Sequence, residues 1–221
     1  MNDTLDLEKF WNEKHPQQKA IYSGRSLPNA TAPHKIVEGI QIDVRNMVTV
    51  PDAILLQVIQ DNDLKADSND ETMLRVQKWV VKNLKYVSDE SNEGVPEFWQ
   101  FPFETLAIGI GDCEDGALLI ASLAINAGIP SFRVRVNAGI VKEAPTAPEG
   151  GHGYCTYLRE FDNIHVVIDW CYLEDSTIAV KDKVPLKSNP YYKEVWFSFN
   201  HLMSWGSDSY ELSGRVAKKN K

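Results

Sequence analysis

Two amphipathic helical patterns, a nearly all-apolar helix after them, and a switch to period-two alternation downstream predict an α+β domain with an antiparallel sheet. The first pattern is "AILLQVIQ", residues 53–60, which follows "VTVPD". The second opens with Ser68 three residues before Glu71, a capping-box spacing, and carries Met73, Val76, Val80 and Leu84 at helical intervals. A loop rich in aromatic residues and proline, "NLKYVSDESNEGVPEFWQFPFETL", leads to the third helix. There Asp112 is the N-cap and Cys113 the first helical residue, with Gly128 as the stop and Pro130 beyond it. "GALLIASLAINA" is apolar on nearly every face, so it is expected to be the central buried helix. Beyond it "SFRVRVNAGIV" alternates as a strand and "KEAPTAPEGG" reads as a loop. "HGYCTYLREF" and "IHVVIDW" then flank Asp162-Asn163, a hairpin turn signal.

Upstream, residues 1–45 hold a short helical pattern around "LDLEKFWNEKH" and then a stretch punctuated by proline and glycine. These residues carry too few periodic apolar positions for a core of their own, so they read as an arm packed on a domain spanning 46–221. Such an arm adds surface without adding core, which suits docking to a partner.

The 221 residues carry 23 basic and 31 acidic side chains, a net charge of −8 that argues against nucleic acid or an anionic membrane as a partner. The longest apolar run, Ala117 to Ala127, is broken by Ser122 and Asn126 and falls short of the ~20 residues of a membrane span. The N-terminus lacks the basic start and apolar stretch of a secretory signal, so a cytoplasmic, reducing location is expected. Three cysteines, Cys113, Cys155 and Cys171, cannot all pair, and no C-x-x-C suggests zinc. No metal and no cofactor are expected. His152 with Cys155 and Cys171 is excluded as a ligand set because alternation sends Cys155 to the opposite face of its strand from His152.

Cys113 is the residue that asks for a chemical reading. A thiol at a helix N-terminus feels the positive end of the dipole, which favours the thiolate, and the N–H of Cys113 itself can face a developing oxyanion. Gly111, just upstream, leaves room for a substrate backbone. Asp112, Glu114 and Asp115 oppose the thiolate unless capping or contacts away from the sulfur occupy them. A nucleophilic cysteine also needs a base, and the base needs an orienting group. His152 opens its strand after two glycines, and Asp169 ends "VVIDW", an odd place for a carboxylate without a partner. Both fall on one face of the hairpin. A two-residue turn at Asp162-Asn163 makes facing positions sum to 325 and leaves the pair roughly 13 Å apart. A four-residue turn, Glu160 to Asn163, makes the sum 323 and brings them to diagonal contact. A His152–Asp169 pair therefore predicts the longer turn or a bulge.

The segments "YVSDESNEGVPEFWQFPFETLAIGIGDCEDGALLIASLAINAGIPSFRV", "GGHGYCTYL" and "VVIDW" resemble the transglutaminase-like cysteine enzymes, near the bacterial transglutaminase-like cysteine proteases. The resemblance covers about residues 50–180. It implies a papain-like core, with a cysteine-bearing helix packed on an antiparallel sheet that supplies histidine and aspartate. It further implies Cys113 as nucleophile, His152 as general base and Asp169 as the group that orients the imidazole. Where the family often has His-Ala-Trp, this chain has His152-Gly153-Tyr154. Trp99 and Gln100 are candidates for the second oxyanion donor. The implied activity is hydrolysis of a peptide or isopeptide bond in a protein or peptide substrate, through a thioester. Transamidation shares the first half-reaction, and a non-enzymatic assembly protein could keep the same trio as relics.

Overall fold

The computed structural model describes residues 17–28, 36–142, 147–172 and 175–206, together with residues 9 and 13. The helical pattern expected over residues 5–15 lies outside these, apart from Lys9 and Glu13. In chain order the strands are β1 (Ile21–Pro28), β2 (Ile36–Asp43), β3 (Lys85–Tyr86), β4 (Ile110–Gly111), β5 (Val134–Lys142), β6 (Glu149–Leu158), β7 (His165–Ile168), β8 (Tyr192–Phe199) and β9 (Ser204–Gly206). The helices are α1 (Ala53–Asp61), α2 (Asn69–Asn83), α3 (Asp89–Asn92), α4 (Pro102–Ile108) and α5 (Cys113–Asn126).

Helix boundaries follow the capping chemistry. The Asp52 carboxylate accepts from the Ile54 and Leu55 N–H groups at the start of α1, and Ser68 accepts from Glu71 N–H at the start of α2. α5 ends in a Schellman arrangement: Gly128 lies at φ +105, its N–H donates to Ile125, and the Ile129 N–H donates to Ala124. Twelve residues of α5, Glu114 to Ile125, are buried, as expected of a central helix. α1, α2 and α4 pack around it on one side, and β5 and β6 on the other.

Five strands form one antiparallel sheet in the order β7-β6-β5-β8-β9. The fold is α+β, as the sequence pattern predicts. β6 and β7 pair in the register whose positions sum to 323, with Cys155 opposite Ile168 and Leu158 opposite His165. The chain reverses between Arg159 and Ile164, whose N–H and C=O are bonded to each other, so the turn is the longer, four-residue one.

Three parts depart from the sequence reading. The segment read as a loose arm contains a hairpin, β1 with β2, and its Ala20 and Tyr22 are buried in the main core. The aromatic loop contains α4, with Pro102 in its first turn and Glu104 accepting from the Phe101 N–H. The first residues of the "KEAPTAPEGG" loop's end, Glu149 to Gly151, belong to β6.

Candidate active site

Cys113 stands where α5 meets the edge of β6. Its half-buried sulfur accepts the Gly153 N–H at 3.3 Å, and its carbonyl accepts the Trp170 indole N–H at 3.3 Å. The contact is close because residue 153 has no side chain: a Cβ there would come 2.9 Å from the Glu114 backbone. This gives a physical reason for glycine after His152. Gly116 serves in the same way, since a Cβ on it would run into the Trp170 indole.

His152 and Asp169 are in contact. His152 Nε2 lies 2.6 Å from Asp169 Oδ2, with Asp169 fully buried and His152 nearly so. With Nε2 engaged, Nδ1 is the ring nitrogen left for a proton transfer. Asp169 Oδ2 also accepts the Tyr192 hydroxyl at 2.7 Å, while Oδ1 accepts the N–H groups of Trp170 at 2.7 Å and Cys171 at 3.1 Å. Burial pushes the Asp169 carboxyl up, but the hydrogen bond from His152, the histidine charge and the Tyr192 hydroxyl outweigh it and hold the group below its ordinary range. Tyr192 carries no signal of this role in the sequence. It lies on β8, far along the chain, and nothing near it in sequence marks it.

The two oxyanion candidates separate. The Trp99 indole N–H donates to Glu97 at 2.6 Å, and its ring stacks on Tyr22 inside the core. The Gln100 side-chain amide is buried with neither atom hydrogen-bonded. β1 fixes this stretch: Tyr22 Oη accepts the Trp99 N–H at 2.8 Å, and Arg25 donates to the Trp99 carbonyl and to both Glu104 oxygens.

The acids divide between capping and the sulfur. Asp115 is spent on structure, accepting the Gln100 N–H at 2.7 Å and the Asp112 N–H at 3.1 Å. Its side chain occupies the space beside Gly111, where a Cβ would come 2.8 Å from it, so that space holds Asp115 rather than substrate. Glu114 turns toward the thiol, with Cys113 Sγ 3.1 Å from its Oε2. Burial, then the charges of Glu114 and Asp112, push the Cys113 thiol well above its ordinary value. Burial and the Asp112 charge also raise Asp89 to about 7, and burial raises Asp115 to about 8. Asp89, Asp112 and Asp115 bring carboxylate oxygens within 4.8 Å of one another. Asp89 Oδ1, Asp112 Oδ1 and Glu114 Oε1 are buried and accept no hydrogen bond. These oxygens are the ones in the site that could hold a hard cation.

Residues 57–144 match the family model of the transglutaminase-like domain. The chain resembles that family over these residues. Its fold is similar to that of Legionella pneumophila LapG. With the EGTA-treated form the TM-score is 0.53 at 16% identity, covering 75% of this chain and 84% of that one. With the calcium-bound form it is 0.51 at 19% identity, covering 69% and 74%. No curated protein sequence matches the chain. Among the described residues, no helix is long and apolar enough to cross a membrane. Cys155 is a buried core thiol, and Cys171 Sγ sits 3.9 Å from Asp169.

Proposed function

We propose that the protein is a cysteine-dependent amide hydrolase acting on peptide or isopeptide bonds. The observation that carries this is one convergence: the Cys113 sulfur on the N–H of Gly153, next to a His152 whose Nε2 is held by the buried Asp169. Cys113 attacks the carbonyl carbon as its proton passes to His152 Nδ1. The oxygen becomes an oxyanion facing the Cys113 N–H, with the unspent Gln100 amide as second donor. The amine leaves with the proton from His152, and a thioester remains. Water, deprotonated by the same imidazole, releases the acid and restores the thiol. Asp169 holds the ring and balances its transient charge, and Tyr192 holds Asp169.

A divalent cation belongs to this reading. The calcium-bound LapG structure raises the question, and the unsatisfied buried oxygens of Asp89, Asp112 and Glu114 fit a hard ion. Asp89, Asp112 and Glu114 would hold it through those oxygens, where the sequence pattern alone leads to no metal. When bound it would offset the carboxylate charge that opposes the thiolate. The binding test is thermal unfolding: calcium chloride should raise the midpoint, EGTA should reverse this, and Asp89→Asn should abolish it. An unchanged midpoint removes the cation from the account.

The test of function is hydrolysis of 4-nitrophenyl acetate and of an unfolded polypeptide, reduced and carboxymethylated lysozyme. Both should be lost in Cys113→Ala. Adding a primary amine should leave polypeptide cleavage as the main outcome; amine incorporation in its place would favour transamidation. Activity equal in Cys113→Ala and wild type defeats the proposal.

A further inference from the structure

β7 stops one residue short of the carboxylate that pairs with His152. Its ladder with β6 closes at Cys155 opposite Ile168, and among the described residues Asp169 has no ladder partner. The same register continued by one step would set Asp169 opposite Tyr154, and its carboxylate has to reach two residues further along β6 to His152. The N–H groups of Trp170 and Cys171 bond back to Asp169 Oδ1, which ties the carboxylate to its own turn but does not tie that turn to the domain. Bonds to the helical layer do. The Trp170 indole N–H donates to the Cys113 carbonyl on α5, and Gln77 Nε2 on α2 donates to the Asp169 carbonyl at 2.7 Å. Gln77 is fully buried on the face of α2 that also buries Met73, Val76 and Val80. Its Oε1 accepts no hydrogen bond, a cost that an apolar side chain of the same size would not carry. The nitrogen end is used twice, since Nε2 faces two acceptors, the Asp169 carbonyl and, at 3.3 Å, Asp175 Oδ1. Asp175 is fixed in turn by the buried Lys183, whose Nζ donates to its carbonyl at 2.9 Å and to its Oδ1.

We infer that Gln77 is a positioning residue of the proposed hydrolysis: from α2 it fixes the Asp169 backbone where β7 has left its ladder, so that the carboxylate holds the His152 ring in line with Cys113. This rests on the hydrolase reading and adds a residue that acts through Asp169 rather than on the substrate. Asp169 Oδ2 moves with its main chain. A shift of that backbone therefore turns the imidazole, and with it the line from Nδ1 to the sulfur, while the surface that meets the substrate stays as it is. A displacement of about 1 Å in such an arrangement is enough to slow the chemistry severely.

The test uses the full chain. Gln77→Met keeps the length of the side chain and removes the donor. Val76→Ala, one residue away, truncates a fully buried side chain and removes no hydrogen bond, so it controls for lost stability, read as the melting midpoint. With 4-nitrophenyl acetate, Gln77→Met should lower kcat at least about tenfold below Val76→Ala and keep KM within about twofold, as when a base is misplaced and binding is not. A second readout does not depend on activity. The His152 Nε2 proton in its bond to Asp169 should give a downfield proton NMR resonance, identified by its absence in His152→Ala, that moves upfield in Gln77→Met and stays in place in Val76→Ala. A kcat within about twofold of Val76→Ala, or an unmoved resonance, overturns the inference. If Gln77→Met does not fold, Gln77→Glu decides. Its carboxyl donates only when protonated, and burial raises it where the neighbouring charges of Asp175 and Lys183 offset each other, so kcat relative to wild type should climb as pH falls from about 8 to about 5. A ratio unchanged over that range overturns the inference as well. Wild type hydrolysing the ester no faster than Cys113→Ala would instead defeat the hydrolase reading.

Discussion

Tyr192→Phe removes one hydroxyl and nothing else from the buried Asp169 carboxylate. Asp169 Oδ2 receives that hydroxyl at 2.7 Å alongside His152 Nε2 at 2.6 Å, and the carboxylate is fully buried, so water cannot replace the lost donor. A hydrogen bond to a charged group contributes about 1.5–3 kcal/mol. At about 2–4 °C per kcal/mol for a chain of this size, a loss of ~2 kcal/mol lowers the melting midpoint by about 4–8 °C. The phenol itself stays protonated and able to donate, because burial and then the Asp169 charge push it far up. The pH dependence has a definite sign. Asp169 lies below the ordinary carboxylate value, so its contribution is present above the unfolded value of about 4 and is lost as pH falls through its folded value. The gap between wild type and Tyr192→Phe is therefore full at pH 7 and shrinks in acid. Urea unfolding at pH 7, and then at a series of pH values below about 4, measures it. A difference under about 0.5 kcal/mol at pH 7 would refute the view that this hydroxyl supports the charged Asp169.

Other expectations separate neighbouring roles. Gln100→Ala should lower kcat by about 10²–10³-fold with little change in KM, the effect of removing an oxyanion donor, whereas Trp99→Phe should cost stability and spare kcat; steady-state kinetics on both variants decides. His165 gives a pH signature remote from the site: burial, then the charges of Arg135, Arg133 and Lys187, lower it to about 3. Between the unfolded value of about 6.5 and pH 3 the unfolded chain binds one more proton than the native one, so stability falls on acidification by up to about 1.4 kcal/mol per pH unit. His165→Phe should flatten that slope in urea titrations from pH 7 to pH 5.

The helices and the central sheet were legible because their signals are local. Ser68 with Glu71, Asp112 with Gly128, and the alternation of β5 to β7 each act within a few residues. The His152–Asp169 contact was readable as a condition on turn length, since register fixes which side chains become neighbours. What the sequence hid depends on distant partners. Tyr192 touches Asp169 only because β8 and β6 flank β5. β1 is held by Trp99 and Glu104, contacts that leave no periodic apolar pattern of their own. The α4 start did leave a local mark, Pro102 followed by Glu104, which the aromatic and proline content obscured. Glu114 also resisted the reading. Its carboxyl faces the sulfur, where the chemistry would have it turned away.

The central claim is that Cys113 carries an acyl group with the help of His152. The direct measurement is intact and peptide mass spectrometry of the protein quenched in acid within milliseconds of mixing with 4-nitrophenyl acetate. An acetyl group on Cys113 in the wild type, lost in His152→Ala and retained in Trp99→Phe, is the expected result. Acetylation on Cys155 or Cys171 instead, or equal rates on Cys113 with and without His152, would contradict the account.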